Sequence, residues 1–291
     1  TLYLKCMRMP LVKNKIHFLL LSLFFQIGFA QDLFQADKIT INQLNGAINF
    51  SPSLITVSNK QIFLLDKKSR ILAKINNDSL NTVGGFGGSR YGMFDPVDLI
   101  ADQLDIFVLE QGTSKISRFD FNLNLIQTFP LSSLEPKYPP FFNIDSKRNI
   151  LFYSPEDGIL FKTESISNKF FNFIDFNLLT DSYDCLLDIA ISRNDQCAVI
   201  FSCTNELLMF NRNGSLTRRF KLTIKNPFKV SWFDNNWAVF NDMGQLEFQN
   251  AQILNIDTEE TNIIDIAHEN NLLYVLTDSI IKIIEIPKIS F

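Results

Sequence analysis

The sequence predicts an all-β fold, a six-bladed β-propeller with four-stranded blades, closed into a ring by an N-terminal strand at residues 38–44. Three observations predict it. A four-strand pattern recurs six times, with first strands beginning near residues 54, 97, 141, 186, 228 and 263. The intervals between them run from 35 to 45 residues, the length of one propeller blade. No stretch sustains the 3.6-residue amphipathic period that a helix-covered parallel sheet would need.

In chain order, the first element is a leader. Lys5, Arg8, Lys13 and Lys15, with no acid among them, precede the apolar run "IHFLLLSLFFQIGFA" and then Gln31-Asp32. That is the layout of a secretory signal peptide, so residues 1–30 are expected to be removed and 31–291 to form one propeller domain. The run is shorter than the ~20 apolar residues of a spanning helix. No membrane span is therefore expected after cleavage, and the protein is expected to be secreted or periplasmic.

Residues 1–30 carry four of the 27 Lys+Arg and none of the 31 Asp+Glu, so the remainder has a net charge of −8 rather than −4. A nucleic-acid binder shows a basic excess, and this chain shows the reverse. The 46% hydrophobic content, with 29 Phe against 6 Tyr and 2 Trp, supplies a large core.

The repeat is clearest in "PVDLIADQLDIFVLEQGTSKISRFDFNLNLIQTF" (96–129), which parses as four strands separated by tight turns. The sixth unit holds three strands before "PKISF" ends the sequence. "KITINQL" (38–44) is expected to supply its outer strand, which removes an exposed sheet edge.

The stretch "GGFGGSRYGMF" (84–94) holds five glycines and raises the question of a phosphate loop. A dinucleotide fingerprint needs a third glycine where Arg90 stands, and a helix where Pro96 opens a strand. No Gly-Lys-Ser/Thr follows either. The glycines are read instead as the crossing between two blades, where backbone must turn sharply.

With Gly88, Gly92, Phe94, Pro96, Phe107-Val108 and Phe119-Asp120, residues 84–129 resemble a repeat of the NHL family, with Glu110 in place of that family's usual Asp. Asp66 keeps the acidic position in blade 1, and the other blades match loosely with Ser154, Ser202, Asn241 and Thr277. The resemblance implies a six-bladed propeller of the NHL or TolB-like kind and implies no particular activity.

Aligning the first strands brings Asp98, Asn143, Asp188, Lys229 and Asp265 to equivalent places, with Leu54 in blade 1. First strands line a propeller's central channel, so these residues are candidate ligand-binding residues. Hard oxygen donors there suit a polar ligand or a cation. The same side chains could instead satisfy neighbouring backbone, as buried polar groups must, and an ammonium at Lys229 repels a metal. Asp66, Glu110, Ser154, Ser202, Asn241 and Thr277 end the second strands and are read as turn caps.

Outside the leader the only histidine is His268, expected on a solvated loop before Asn270-Asn271; no catalytic residue is assigned. Cys185, Cys197 and Cys203 form no CxxC pair, which argues against zinc. A turn centred on Asn194 sets Cys185 opposite Cys203. They could bridge in an oxidising compartment, or all three cysteines could be buried free thiols. Phe141-Phe142 and Trp232 with Trp237 could form a contact face, although the alternation of "FKVSW" suits core.

Two functions remain. The first is a non-enzymatic binding or scaffold module for a protein, peptide or glycan, with no cofactor. The alternative is a calcium-dependent enzyme similar to the lactonases or lyases that share this architecture, with its site at the channel mouth.

Overall fold

The computed structural model describes residues 31–33, 35–41, 50–77, 79–87, 89–131, 137–164, 169–179, 185–256 and 262–286. The expected leader, residues 1–30, lies outside them, as do 42–44 of the expected closing strand.

Six antiparallel sheets form the blades of a six-bladed β-propeller. In blade 1 the strands are Leu54–Ser58, Gln61–Asp66, Ile71–Asn76 and Ser79–Gly84. Blades 2 to 5 repeat this order over residues 96–130, 142–175, 186–221 and 227–256. Blade 6 takes Ile263–Glu269, Leu272–Thr277 and Ile280–Glu285 from one end of the chain. Its fourth strand is Gln35–Thr40, antiparallel to Ile280–Glu285 with Thr40 opposite Ile280. The closing strand thus begins three residues earlier than the sequence suggested. Just before it, Gln31–Leu33 adds a fifth, parallel strand to the outer edge of blade 5, with Gln31 opposite Leu254. One short segment therefore covers the outer edges of two adjacent blades, groups that would otherwise be open to pairing with another chain.

The core lies between blades. Second strands are buried on both faces, as in Asp105–Glu110 and Ile150–Ser154, and so read as continuous apolar runs. Blades diverge outward, and the wedge between them needs bulky side chains, which accounts for the phenylalanine excess. Phe63, Phe119 and Val108 fill the wedge between blades 1 and 2; Tyr153, Phe176 and Phe210 fill that between blades 3 and 4. Tyr274, Leu276 and Ile281 of blade 6 pack on Ile55, Leu64 and Ala73 of blade 1, so the ring closes through core as well as through strands. Each such side chain contributes about 1.5–3 kcal/mol by leaving water.

The glycine-rich stretch is the crossing from blade 1 to blade 2. Gly84 has φ +115°, and a Cβ there would lie 2.3 Å from the Arg70 carbonyl oxygen. At Gly92 a Cβ would lie 1.9 Å from the Gly87 oxygen. Backbone needs that space, and a strand rather than a helix follows, starting at Pro96.

Cys185 and Cys203 are joined by a disulfide, Cα atoms 5.8 Å apart. It ties the approach to blade 4 to the turn after that blade's second strand. Cys197 is free and buried, and burial pushes its thiol up to about 12, which leaves it inert.

Candidate functional site

Each blade presents its first strand to the central channel with one edge unpaired. Backbone N–H groups on that edge need acceptors, and polar side chains of the preceding blade supply them. Thr56 Oγ1 accepts from the Ala101 N–H at 3.1 Å, and Asp98 Oδ2 accepts from the Phe142 N–H at 2.9 Å. Asn143 donates through Nδ2 to the Ile189 carbonyl at 3.3 Å. Asp188 Oδ2 accepts from the Val230 N–H at 2.9 Å, and Lys229 Nζ donates to Asp265 Oδ1 at 2.6 Å. Asp265 Oδ2 then accepts from the Ile55 N–H at 2.9 Å, across 210 residues of sequence. Six side chains thus bridge the six blade interfaces in order, and the last bond returns to the first blade.

The five candidate residues all reach the channel region, but not on one level. Asp98 pairs with Leu109, Asp188 with Ile200, Lys229 with Phe240 and Asp265 with Leu276, each following a register shift at the start of the strand. Blade 3 begins at Phe142 without that shift, so Asn143, opposite Leu151, stands two residues further along, level with Thr56 opposite Phe63. Leu54, which the alignment put in the ring, has the right register but no polar group; Thr56 bridges in its place. Counting from sequence cannot detect a bulge.

Charge within the ring is unbalanced. Burial raises Asp98 above the ordinary carboxylate range despite the Phe142 N–H and the Lys229 ammonium. Burial likewise pushes Asp188 up to about 7, with Lys229 opposing. Burial works against the Lys229 ammonium, but Asp265, Asp188 and Asp98 outweigh it and hold it charged above the ordinary lysine range.

Above the ring the channel opens into a cavity of about 700 Å³. Asp98, Asp188 and Lys229 lie on its wall at the deep end, while Arg193, Asp234 and Asn270 belong to the turns at the mouth. Between them the wall includes Ile100, Asn143, Ile191 and Trp232.

His268 corrects an expectation. It sits on the strand Ile263–Glu269, not on a solvated loop, because that strand runs further than the Asn-Asn turn suggested. Its Nδ1 is 2.8 Å from Ser231 Oγ in blade 5, and its ring packs 5.5 Å from that of Phe233. Burial pushes it down to about 4; Lys229 and Arg193 add to this, and a hydrogen bond to the Trp232 backbone opposes it.

The aromatic pairs divide. Phe141, Phe142 and Trp237 are core, whereas Trp232 lines the cavity and meets Trp237 edge-on at 4.8 Å. Sequence reasoning offered Trp232 as part of a contact face but missed Ser231 and Arg193 as cavity residues. The alternation in "FKVSW" was the available signal, read there as core.

The second-strand residues cap turns. Asp66 accepts from the Ser51 and Ser69 N–H groups, and Glu110 accepts from the Phe94 N–H and pairs with Lys115. Asn241 Oδ1 accepts from the Gln245 N–H at 2.7 Å, and Ser154 and Thr277 bond within their own turns. Ser202 is displaced by one. Phe201 pairs with Leu186 where Glu110 pairs with Pro96, and the Ser202 hydroxyl bonds the Cys185 carbonyl instead.

No family model matches the sequence, and no curated protein matches it. The fold is similar to that of a catalytically inactive virginiamycin B lyase from Staphylococcus aureus with quinupristin. That likeness has a TM-score of 0.61 at 13% identity and covers 86% of this chain and 99% of the lyase. A gluconolactonase from Xanthomonas campestris has a TM-score of 0.59 at 13% identity, with 78% of this chain and 82% of that one covered. YCF48 bound to D1 peptide has a TM-score of 0.56 at 9% identity, with 80% and 78% covered. At these identities the likeness concerns the fold, which hosts both enzymes and binding proteins.

Proposed function

We propose that the protein is an extracytoplasmic, non-enzymatic propeller that binds part of a protein, peptide or glycan at the channel mouth. The observation that carries this reading is the use of the channel's polar groups. The carboxylates of the ring are engaged by backbone of the following blade or by Lys229, so they serve to hold the ring together. What remains at the mouth is a cavity of ligand size with an aromatic wall and a polar rim.

Among the described residues, the one nucleophile–base pair on the cavity wall is Ser231 with His268. Activating the serine would require the imidazole to take up its proton. Burial and the positive charges of Lys229 and Arg193 oppose that, so the pair suits hydrogen bonding to a ligand. The calcium alternative also fits these residues poorly. Lys229 stands where the ring would hold a cation, 2.6 Å from Asp265. Among the described residues, no three His, Cys, Asp or Glu side chains converge as a metal site requires. Placement outside the cytoplasm is supported by the disulfide and by the signal-peptide layout of residues 1–30. Among the described residues no helix is long and apolar enough to cross a membrane.

Melting the protein with millimolar calcium against a chelator tests the assignment, together with assays on lactone and ester substrates. A metal bound only by the native state raises the melting temperature. No calcium shift and no turnover are expected. A calcium-dependent rise accompanied by hydrolysis would overturn the binding assignment in favour of the enzyme.

A further inference from the structure

We propose that the cavity is shaped for an apolar-stemmed cation, a lysine or arginine side chain presented by a peptide, with its head at Asp98 and Asp188. The proposal rests on the assignment of the channel mouth as a binding site and specifies its occupant.

Three features converge. The first is the order of the wall. Asp98 and Asp188 lie deep, Ile100 and Asn143 stand two residues further along their strands, and Trp232 with the rim comes next. Asp98 and Ile100 are two residues apart on the same face of their strand, about 7 Å along it. A side chain entering from the mouth would lay its methylenes on isoleucine and its charge on carboxylate, as long basic side chains do on amphipathic surfaces. An aromatic wall adds attraction for a passing cation.

The second is charge. Asp265 is 3% exposed and takes the Lys229 ammonium at 2.6 Å. Asp98 and Asp188 face the cavity and share the field of that same ammonium, so three carboxylates stand against one cation. Each accepts few enough bonds that lone pairs remain for a donor. The rim carries one charge of each sign, Arg193 and Asp234. The third is volume: about 700 Å³ admits a whole side chain with part of its backbone. An anionic occupant would meet an excess of carboxylates in a confined space, and among the described residues no three ligating side chains converge to hold a divalent metal.

The test uses the full chain carrying Trp237→Phe, so that Trp232 is the fluorescent reporter. The probes are N-acetyl-lysine N-methylamide, N-acetyl-arginine N-methylamide, n-pentylamine as the free-amine control, hexanoate and hexanol. Saturable quenching is expected for the lysine and arginine amides, more weakly for pentylamine, and not for hexanoate. Asp188→Asn retains an oxygen for the Val230 N–H and is expected to weaken amide binding at least tenfold. Ala101→Leu narrows the cavity while leaving the side chains of Asp98, Asp188 and Lys229 in place, and is expected to weaken it as well. Equal binding of hexanoate or hexanol, or no change in Asp188→Asn, would overturn the cationic occupant while leaving the mouth as a binding site. Pentylamine binding as tightly as the amides would overturn the peptide source. Calcium-dependent turnover would instead remove the binding assignment itself.

Discussion

Asp265→Ala should open the ring at its closing interface. Asp265 is 3% exposed, and its two oxygens take the Lys229 ammonium at 2.6 Å and the Ile55 N–H at 2.9 Å. Removing one partner of a buried ion pair costs about 3–5 kcal/mol. Lys229 keeps 29% side-chain exposure and two further carboxylates nearby, which lowers that share to roughly 2 kcal/mol. The orphaned Ile55 N–H adds about 1–3 kcal/mol. Together the loss is about 4 kcal/mol, equivalent to a fall in melting temperature of about 8–16 °C for a domain of this size. Asp265→Asn preserves an acceptor for Ile55 and should lose about half as much. The double substitution Lys229→Met, Asp265→Leu removes both charges but still leaves the Ile55 N–H without an acceptor, so it should recover about half of the deficit. Scanning calorimetry and urea titration of the four proteins measure this. If Asp265→Ala melts within 2 °C of the parent, or the double variant is no better than the single one, the ring is not a stabilising belt.

Removing the disulfide with Cys185→Ser and Cys203→Ser, whose cysteines are 18 residues apart, should cost about 3 kcal/mol by the loop-entropy estimate. Reductant should lower the melting temperature of the parent but not of that variant. Gly92→Ala should destabilise by more than 2 kcal/mol, because its Cβ would sit 1.9 Å from a carbonyl oxygen; a near-neutral urea midpoint would refute that. For pH, Asp188 and His268 oppose each other. Asp188, raised to about 7, contributes stability that is full below its unfolded value near 4 and is lost as pH rises through 7. His268, lowered to about 4, contributes stability present above about 6.5 and lost as pH falls through 4. The parent should therefore change little between pH 4.5 and 6.5. Asp188→Asn should weaken on acidification across that window and His268→Gln should strengthen, as read by urea midpoints. Parallel profiles for all three proteins would refute the assignment.

The closure of the ring illustrates how far local pattern reaches. The alternation in "KITINQL" marked a strand, and the missing fourth strand of the last unit called for a partner. Its start at Gln35, and the parallel addition of Gln31–Leu33 to blade 5, depend on edges hundreds of residues away. The channel residues were found by aligning repeats, which works because inner-edge N–H groups demand a polar neighbour in most blades. Asn143 was misplaced because blade 3 lacks the bulge that opens most other first strands, and Ser202 because the first hairpin of blade 4 turns over residues 192–196 where that of blade 2 turns over 103–104.

Sequence alone determined the number of blades, their strand content and the polar character of the first strands, since these follow from period-2 alternation and a repeat near forty residues, both encoded locally. Tertiary structure alone decided that Asp265 bonds Ile55 and that His268 meets Ser231. Those contacts join residues from different blades. Their distances are set by how the ring closes, and no local pattern of side chains records the geometry of closure.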